Sequence, residues 1–121
     1  MKSAVVIIFN EENKVLLLER MTPQISYAGF WGLPGGAIHH NELPKDAAIR
    51  EAKEETSLNI LDLKFVCEVK RDISVYTCRS FTGTVQLDFE HVDFIWTPIE
   101  KIDDYKTIPG TKELILNAQK L

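Results

Sequence analysis

Five carboxylates, Glu42, Asp46, Glu51, Glu54 and Glu55, fall in the stretch GAIHHNELPKDAAIREAKEETSL between Gly36 and Leu58. Pro44 suits the first turn of a helix, where its missing N–H is not needed, so the segment reads as a loop followed by a helix running to about Ser57. On that helix Glu51, Glu54 and Glu55 stand at i, i+3 and i+4 and project from one face. Like charges at those spacings cost roughly 0.2–0.5 kcal/mol per pair if nothing lies between them. A divalent cation turns that repulsion into chelation. Hard oxygen donors with no Cys or His at ligand spacing favour Mg²⁺ or Mn²⁺ over Zn²⁺. Read alone, REAKEE also fits a solvated surface helix, so the flanking residues decide between the two.

Counting from Gly36, the chain runs through five residues to Glu42, seven more, and then Arg50-Glu51-Ala52-Lys53-Glu54-Glu55-Thr56-Ser57-Leu58. This resembles the Nudix box, G-x5-E-x7-R-E-U-x-E-E-x-G-U with U apolar, at every charged position. Upstream, Trp31-Gly32-Leu33-Pro34-Gly35-Gly36 is similar to the W-x-L-P-G-G lead-in of that family. The last Gly of the box is Ser57 here. That Gly commonly ends the helix with φ > 0, so Asn59, which tolerates the left-handed region, is expected to take over the cap. Asn41, where many relatives have Gly, is expected to keep the loop shape with a positive φ.

The resemblance implies an α/β fold, a mixed β-sheet in an α/β/α sandwich, and Mg²⁺-dependent hydrolysis of a pyrophosphate bond in a nucleoside diphosphate linked to another group. Mn²⁺ would substitute. By the same resemblance Glu51, Glu54, Glu55 and the carbonyl of Gly36 hold the metal, while Glu42 and Arg50 form the pair that orients the carboxylates. A simple helical pairing of Arg50 with Glu54 or Asp46 is compatible with that role. Glu90, just before a strand that carries Trp96, is the candidate to complete the metal shell or activate water; a helix glutamate is the other candidate base.

His91 matches the histidine base of the GDP-mannose mannosyl hydrolase branch, in which attack falls on the sugar carbon. That branch alters box glutamates that are intact here, and a solvated loop histidine is the competing reading. His39 and His40 either touch phosphate or face water. A non-catalytic Nudix nucleotide-binding or sensor module is a further alternative, although such modules usually lose box glutamates. Arg20, Phe30, Trp31 and His91 are the candidate substrate contacts, and Tyr27 and Tyr76 are further rings that stack on a base or line the core.

With 121 residues the chain fits one domain, taken as residues 1–121. Its 45% apolar and 26% charged content is ordinary for a globular protein, and the net charge is −4. Lys and Arg are scattered without a basic run, which argues against a polynucleotide partner and leaves a small nucleotide open. The longest apolar run near the N-terminus, Ala4 to Phe9, is too short for a signal core or a membrane span, so a cytoplasmic, membrane-free protein is expected. Cys67 and Cys78 form no metal-knuckle spacing and read as reduced, half-buried hydrophobes. A homodimer is allowed, but no apolar stripe demands one.

Along the chain, Ser3 to Phe9 and Lys14 to Arg20 read as strands joined into a hairpin by Asn10-Glu11-Glu12-Asn13. Met21 to Phe30 has no periodicity and reads as a loop at the lip of the site. Gly36 to Ile38, Ile60 to Lys70, Ser74 to Phe81, Thr84 to Phe89 and His91 to Thr97 read as strands, the middle three as antiparallel neighbours. Leu114, Ile115, Ala118 and Leu121 carry helical spacing over Thr111 to Leu121. On the acidic helix, Ala48, Ile49 and Ala52 form the packing side, and Asp46, Arg50 and Lys53 group apart from the carboxylates.

Overall fold

Strand β1 (Ser3–Ile8) is apolar from Ala4 onward and strand β2 (Lys14–Arg20) is apolar from Val15 to Leu18, so both faces of these stretches must be covered. The computed structural model, which describes residues 1–21 and 27–121, meets that demand with one layer of helix on each side. Alternation along the strands sends Ala4, Val6, Ile8, Leu16 and Leu18 to one cluster and Ile7, Phe9, Val15 and Leu17 to the other. Helix α1 (Pro44–Thr56) closes the first cluster with Ala47, Ala48 and Ala52, whose small side chains allow close approach. Helix α2 (Thr111–Gln119) and a 3-10 helix (Ile99–Asp104) close the second with Ile115, Ala118 and Ile102. The result is an α/β/α sandwich. Each fully buried Leu or Ile contributes roughly 1.5–3 kcal/mol, so these two faces dominate its stability.

The remaining strands are β3 (Trp31–Gly32), β4 (Gly35–Ala37), β5 (Asn59–Ile60), β6 (Lys64–Val69), β7 (Ile73–Cys78), β8 (Phe81–Thr82) and β9 (His91–Pro98). A mixed sheet runs β4-β1-β7-β6, with β1 and β7 parallel and the other neighbours antiparallel. An antiparallel sheet runs β3-β2-β9, and β5 pairs with β8.

The expected β1–β2 hairpin is therefore replaced by a division between sheets. Only the Phe9–Val15 bridge and the intervening turn join the two strands, because both edges of each are taken by other partners. Ile60 to Lys70 is not one strand but β5 and β6. Thr84 to Phe89 is not a strand at all, although its alternation is real. Val85 and Leu87 pack on the first cluster, while Gln86 gives its backbone N–H to the Thr56 carbonyl at 2.8 Å rather than to a ladder.

The acidic helix ends at Ser57, which itself takes the left-handed conformation (φ 68°) and donates its N–H to the Lys53 carbonyl at 3.0 Å. Asn59 is thus not the cap; it opens β5. Asn41 has the expected positive φ, 62°. Helix α2 stops at Gln119, two residues short of the expected end. Both cysteines are free, Cys78 buried and Cys67 half-buried. Residues 22–26 of the expected lip loop lie outside the described residues. No helix among the described residues is long and apolar enough to cross a membrane.

Candidate active site

Two consecutive glycines set the distance between β4 and its surroundings. A Cβ at Gly35 would sit 2.5 Å from the Ala4 carbonyl oxygen, so this position is held open for the neighbouring strand. A Cβ at Gly36 would sit 2.6 Å from the carboxyl carbon of Glu51, so that position is held open for a helix carboxylate. The same strand donates the Gly35 N–H to Glu55 Oε1 at 3.0 Å. Strand and helix are thereby locked together through acidic side chains.

Although the helical repeat groups Arg50 with Asp46 and Lys53 apart from the carboxylates, its side chain reaches them. Its half-buried guanidinium turns toward the carboxylates and uses every face of its fork. Nε and Nη2 donate to the two oxygens of Glu42 at 2.9 and 3.0 Å, and Nη2 also reaches the Ala37 carbonyl at 2.9 Å. Nη1 donates to Glu51 at 2.9 Å and to Glu54 at 3.2 Å. The Arg50 hydrogen bonds, with help from the His39 N–H at 3.0 Å, hold the Glu42 carboxyl down at about 2. Glu42 in turn raises the Arg50 guanidinium above its ordinary value, against the effect of its burial. Both groups are fixed in their charged forms.

Glu55 is the buried member of the helix set, only 6% exposed, whereas Glu54 lies open to solvent. Burial pushes its carboxyl up to about 9; the Gly35 N–H opposes that rise, and the charges of Glu51 and Asp88 add to it. In such surroundings the charged form of the carboxyl is disfavoured unless positive charge or further hydrogen bonds lie beside it. Oxygens of Glu55, Asp88 and Glu90 all lie within 4.8 Å of one another. The segment from 84 to 90 delivers the last two: it is tied to the C-terminal end of α1 through Gln86 and Ser57, and to the residue just after β2 through the Met21 N–H on the Glu90 carbonyl at 2.9 Å.

Asp88 is the member that sequence reasoning passed over. The signal was its proximity to Glu90: Asp88 lies two residues earlier, and the turn at residues 89 and 90 brings the two carboxylates together. His91, read as a solvated loop residue or a substrate contact, is instead 7% exposed, and its Nδ1 meets Asp88 Oδ1 at 2.9 Å. His39 stands beside Glu42 at 3.9 Å with a largely exposed ring, and His40 is exposed.

The sequence profile of the NUDIX domain family matches residues 1–117. This chain belongs to that family. It is a Nudix hydrolase, an enzyme acting on acid anhydrides. Among its relatives is the CTP pyrophosphohydrolase of Escherichia coli K12, 27% identical over 122 aligned positions that span 95% of this chain and 89% of that one. A MutT protein of Methanosarcina mazei superposes with a TM-score of 0.80 at 28% identity, covering 99% of this chain and 93% of the other. The E. coli ORF135 protein superposes at 0.74 with 27% identity, over all of this chain and 91% of its own.

In this Nudix hydrolase a cavity of about 670 Å³ opens against the far side of the Gly35–Gly36 strand. Its walls include Val5, Leu33, Ile73, Ile108 and Leu114, and its charged groups are Arg20 and Glu113. The wall at Ile108 is built by residues 106–108 running beside β3, where the Trp31 N–H meets the Lys106 carbonyl at 2.8 Å and the Ile108 N–H meets the Trp31 carbonyl at 2.9 Å. Tyr27 lines the cavity and packs edge-on against Phe30, whose ring carries Lys106 Nζ at 4.4 Å. Trp31 packs against Tyr105 and the second core cluster, and Tyr76 against Phe65 and the first. Of the four candidate substrate contacts, Arg20 is the one that lines this cavity.

Proposed function

We propose that this chain hydrolyses a pyrophosphate bond of a nucleoside triphosphate, or of a related nucleoside diphosphate derivative, in a Mg²⁺-dependent reaction for which Mn²⁺ can substitute. The observation that carries the reading is contiguity: the cavity and the carboxylate cluster meet at Gly35 and Gly36. A volume of 670 Å³ with apolar walls and few charges suits a nucleoside. The E. coli relative named for CTP favours a triphosphate substrate.

The donor set fits a hard divalent cation, since it consists of carboxylates and backbone oxygen with one carboxylate buried beside two others. Glu51, Glu54, Glu55, Glu90 and the Gly36 carbonyl would hold it. When bound, such an ion offsets the charge of the phosphate oxygens and eases deprotonation of water. The chain's own residues do the rest. Arg50, pinned by Glu42, keeps Glu51 and Glu54 from swinging apart. Arg20 at the cavity supplies a cation for phosphate, with Phe30 and Tyr27 next to it for the base. A carboxylate of the cluster, Glu90 or a helix glutamate, takes the proton of the attacking water.

The test is a panel of nucleoside triphosphates, nucleotide sugars, ADP-ribose and dinucleoside polyphosphates with Mg²⁺, read by phosphate and pyrophosphate release. Pyrophosphate from a triphosphate supports the reading. No turnover of any member with Mg²⁺ or Mn²⁺ overturns it. Running the reaction in ¹⁸O water places the label on a phosphate product; label on a sugar carbon would favour the mannosyl-hydrolase alternative.

A further inference from the structure

We infer that Asp88 is a further carboxylate of the cation site and that the buried His91 is the residue that positions it. The assignment rests on the metal-dependent reading above. Asp88 brings an oxygen within 4.8 Å of oxygens on Glu55 and Glu90, and Glu55 is almost wholly buried, so the three meet on the protein side of the site rather than at a solvated rim. Asp88 is held on two sides by one oxygen. Its Oδ1 accepts the Glu90 N–H at 3.2 Å and meets His91 Nδ1 at 2.9 Å. Among the described residues no hydrogen bond reaches its second oxygen.

The histidine is built for support rather than for chemistry. Its ring is 4% exposed, it does not line the cavity, and its backbone is fixed opposite Arg20 in the β2–β9 ladder. An ionised carboxylate only accepts hydrogen bonds, so Nδ1 carries the proton and donates it to Asp88. A histidine N–H locked on a carboxylate fixes the direction of that carboxylate, the usual arrangement behind the ligands of a metal site. The irregularity in the ladder between Glu19 and Arg20 sits at this point, where the chain must pass from the Asp88–Glu90 turn into β9.

The experiment is Mn²⁺ titration of the purified chain, followed by the electron paramagnetic resonance of the free ion, alongside circular dichroism of each variant. Asp88→Asn, which keeps the acceptor for His91 and the Glu90 N–H but removes the charge, is expected to weaken Mn²⁺ binding by about 10- to 100-fold. His91→Leu is expected to weaken it similarly, and the double variant no more than Asp88→Asn alone, because His91 acts through Asp88. His91→Asn, whose amide N–H stands where Nδ1–H stood, should recover most of the affinity. If His91→Leu does not fold, His91→Gln, which lacks a donor at that place, takes its role.

Wild-type affinity in Asp88→Asn, with affinity lost in Glu54→Gln, overturns the assignment and leaves the metal reading standing. Additive losses in the double variant overturn the positioning role. A wild-type chain that binds no Mn²⁺ overturns the metal reading and this assignment together.

Discussion

Arg50 grips Glu42 through two parallel hydrogen bonds, Nε to Oε2 at 2.9 Å and Nη2 to Oε1 at 3.0 Å, and spends its remaining nitrogen on Glu51 and Glu54. A lysine offers one point charge in place of this fork. Arg50→Lys is therefore expected to keep the fold and to lower kcat by about 10- to 100-fold, with a smaller change in KM. Steady-state kinetics on the best substrate of the panel checks this. Wild-type kcat would mean that charge alone, without the fork, orients the helix carboxylates.

Gly36 leaves the space that the Glu51 carboxylate fills, since an added Cβ would lie 2.6 Å from it. Gly36→Ala is expected to push Glu51 aside and cost on the order of 100-fold in turnover, the scale set by misplacing a group by about 1 Å. The far-UV circular dichroism should be unchanged. An active Gly36→Ala would show that Glu51 can move without consequence.

The pH dependence of stability has a definite sign at Glu42. Its carboxyl is held at about 2 in the folded chain by the Arg50 hydrogen bonds, against an ordinary value of 4.5. The stabilisation from a depressed carboxyl is fully present above 4.5 and is lost as pH falls through 2. Thermal melting of wild type and Glu42→Gln should differ most at neutral pH and converge as the pH is lowered through that window. A gap in Tm that stays constant from neutral pH to the acid limit would contradict the Arg50–Glu42 account.

The mixture of apolar strands with a helix carrying alanines on one side made the α/β class legible, whereas the sandwich arrangement came with the resemblance that the motif carries. The spacing of Gly36, Glu42, Arg50, Glu51, Glu54 and Glu55 was legible as a motif because each position serves a local geometry that sequence separation records. Pairing was less legible. Alternation in Thr84 to Phe89 records which side chains turn inward, and says nothing of whether the backbone bonds to a strand or, as here, to the end of α1. Ser57 defeated a propensity argument: its Oγ donates to the Gln86 carbonyl at 3.2 Å, which helps a side-chain-bearing residue stay at φ 68° where glycine is the rule. His91 was misjudged for a similar reason. Its burial depends on Asp88 and on the β2–β9 ladder, two partners that no local pattern around His91 discloses.

The central claim is that the helix carboxylates act through a divalent cation on a phosphoanhydride. Its most direct measurement is Mg²⁺-dependent release of phosphate or pyrophosphate by wild type, Glu54→Gln and Glu55→Gln, with and without chelator. The account predicts turnover in wild type, none with chelator, and losses of orders of magnitude in both variants, while the melting of the metal-free chains shows all three folded. Hydrolysis that persists in chelator, or that proceeds at the wild-type rate in both variants, would contradict it.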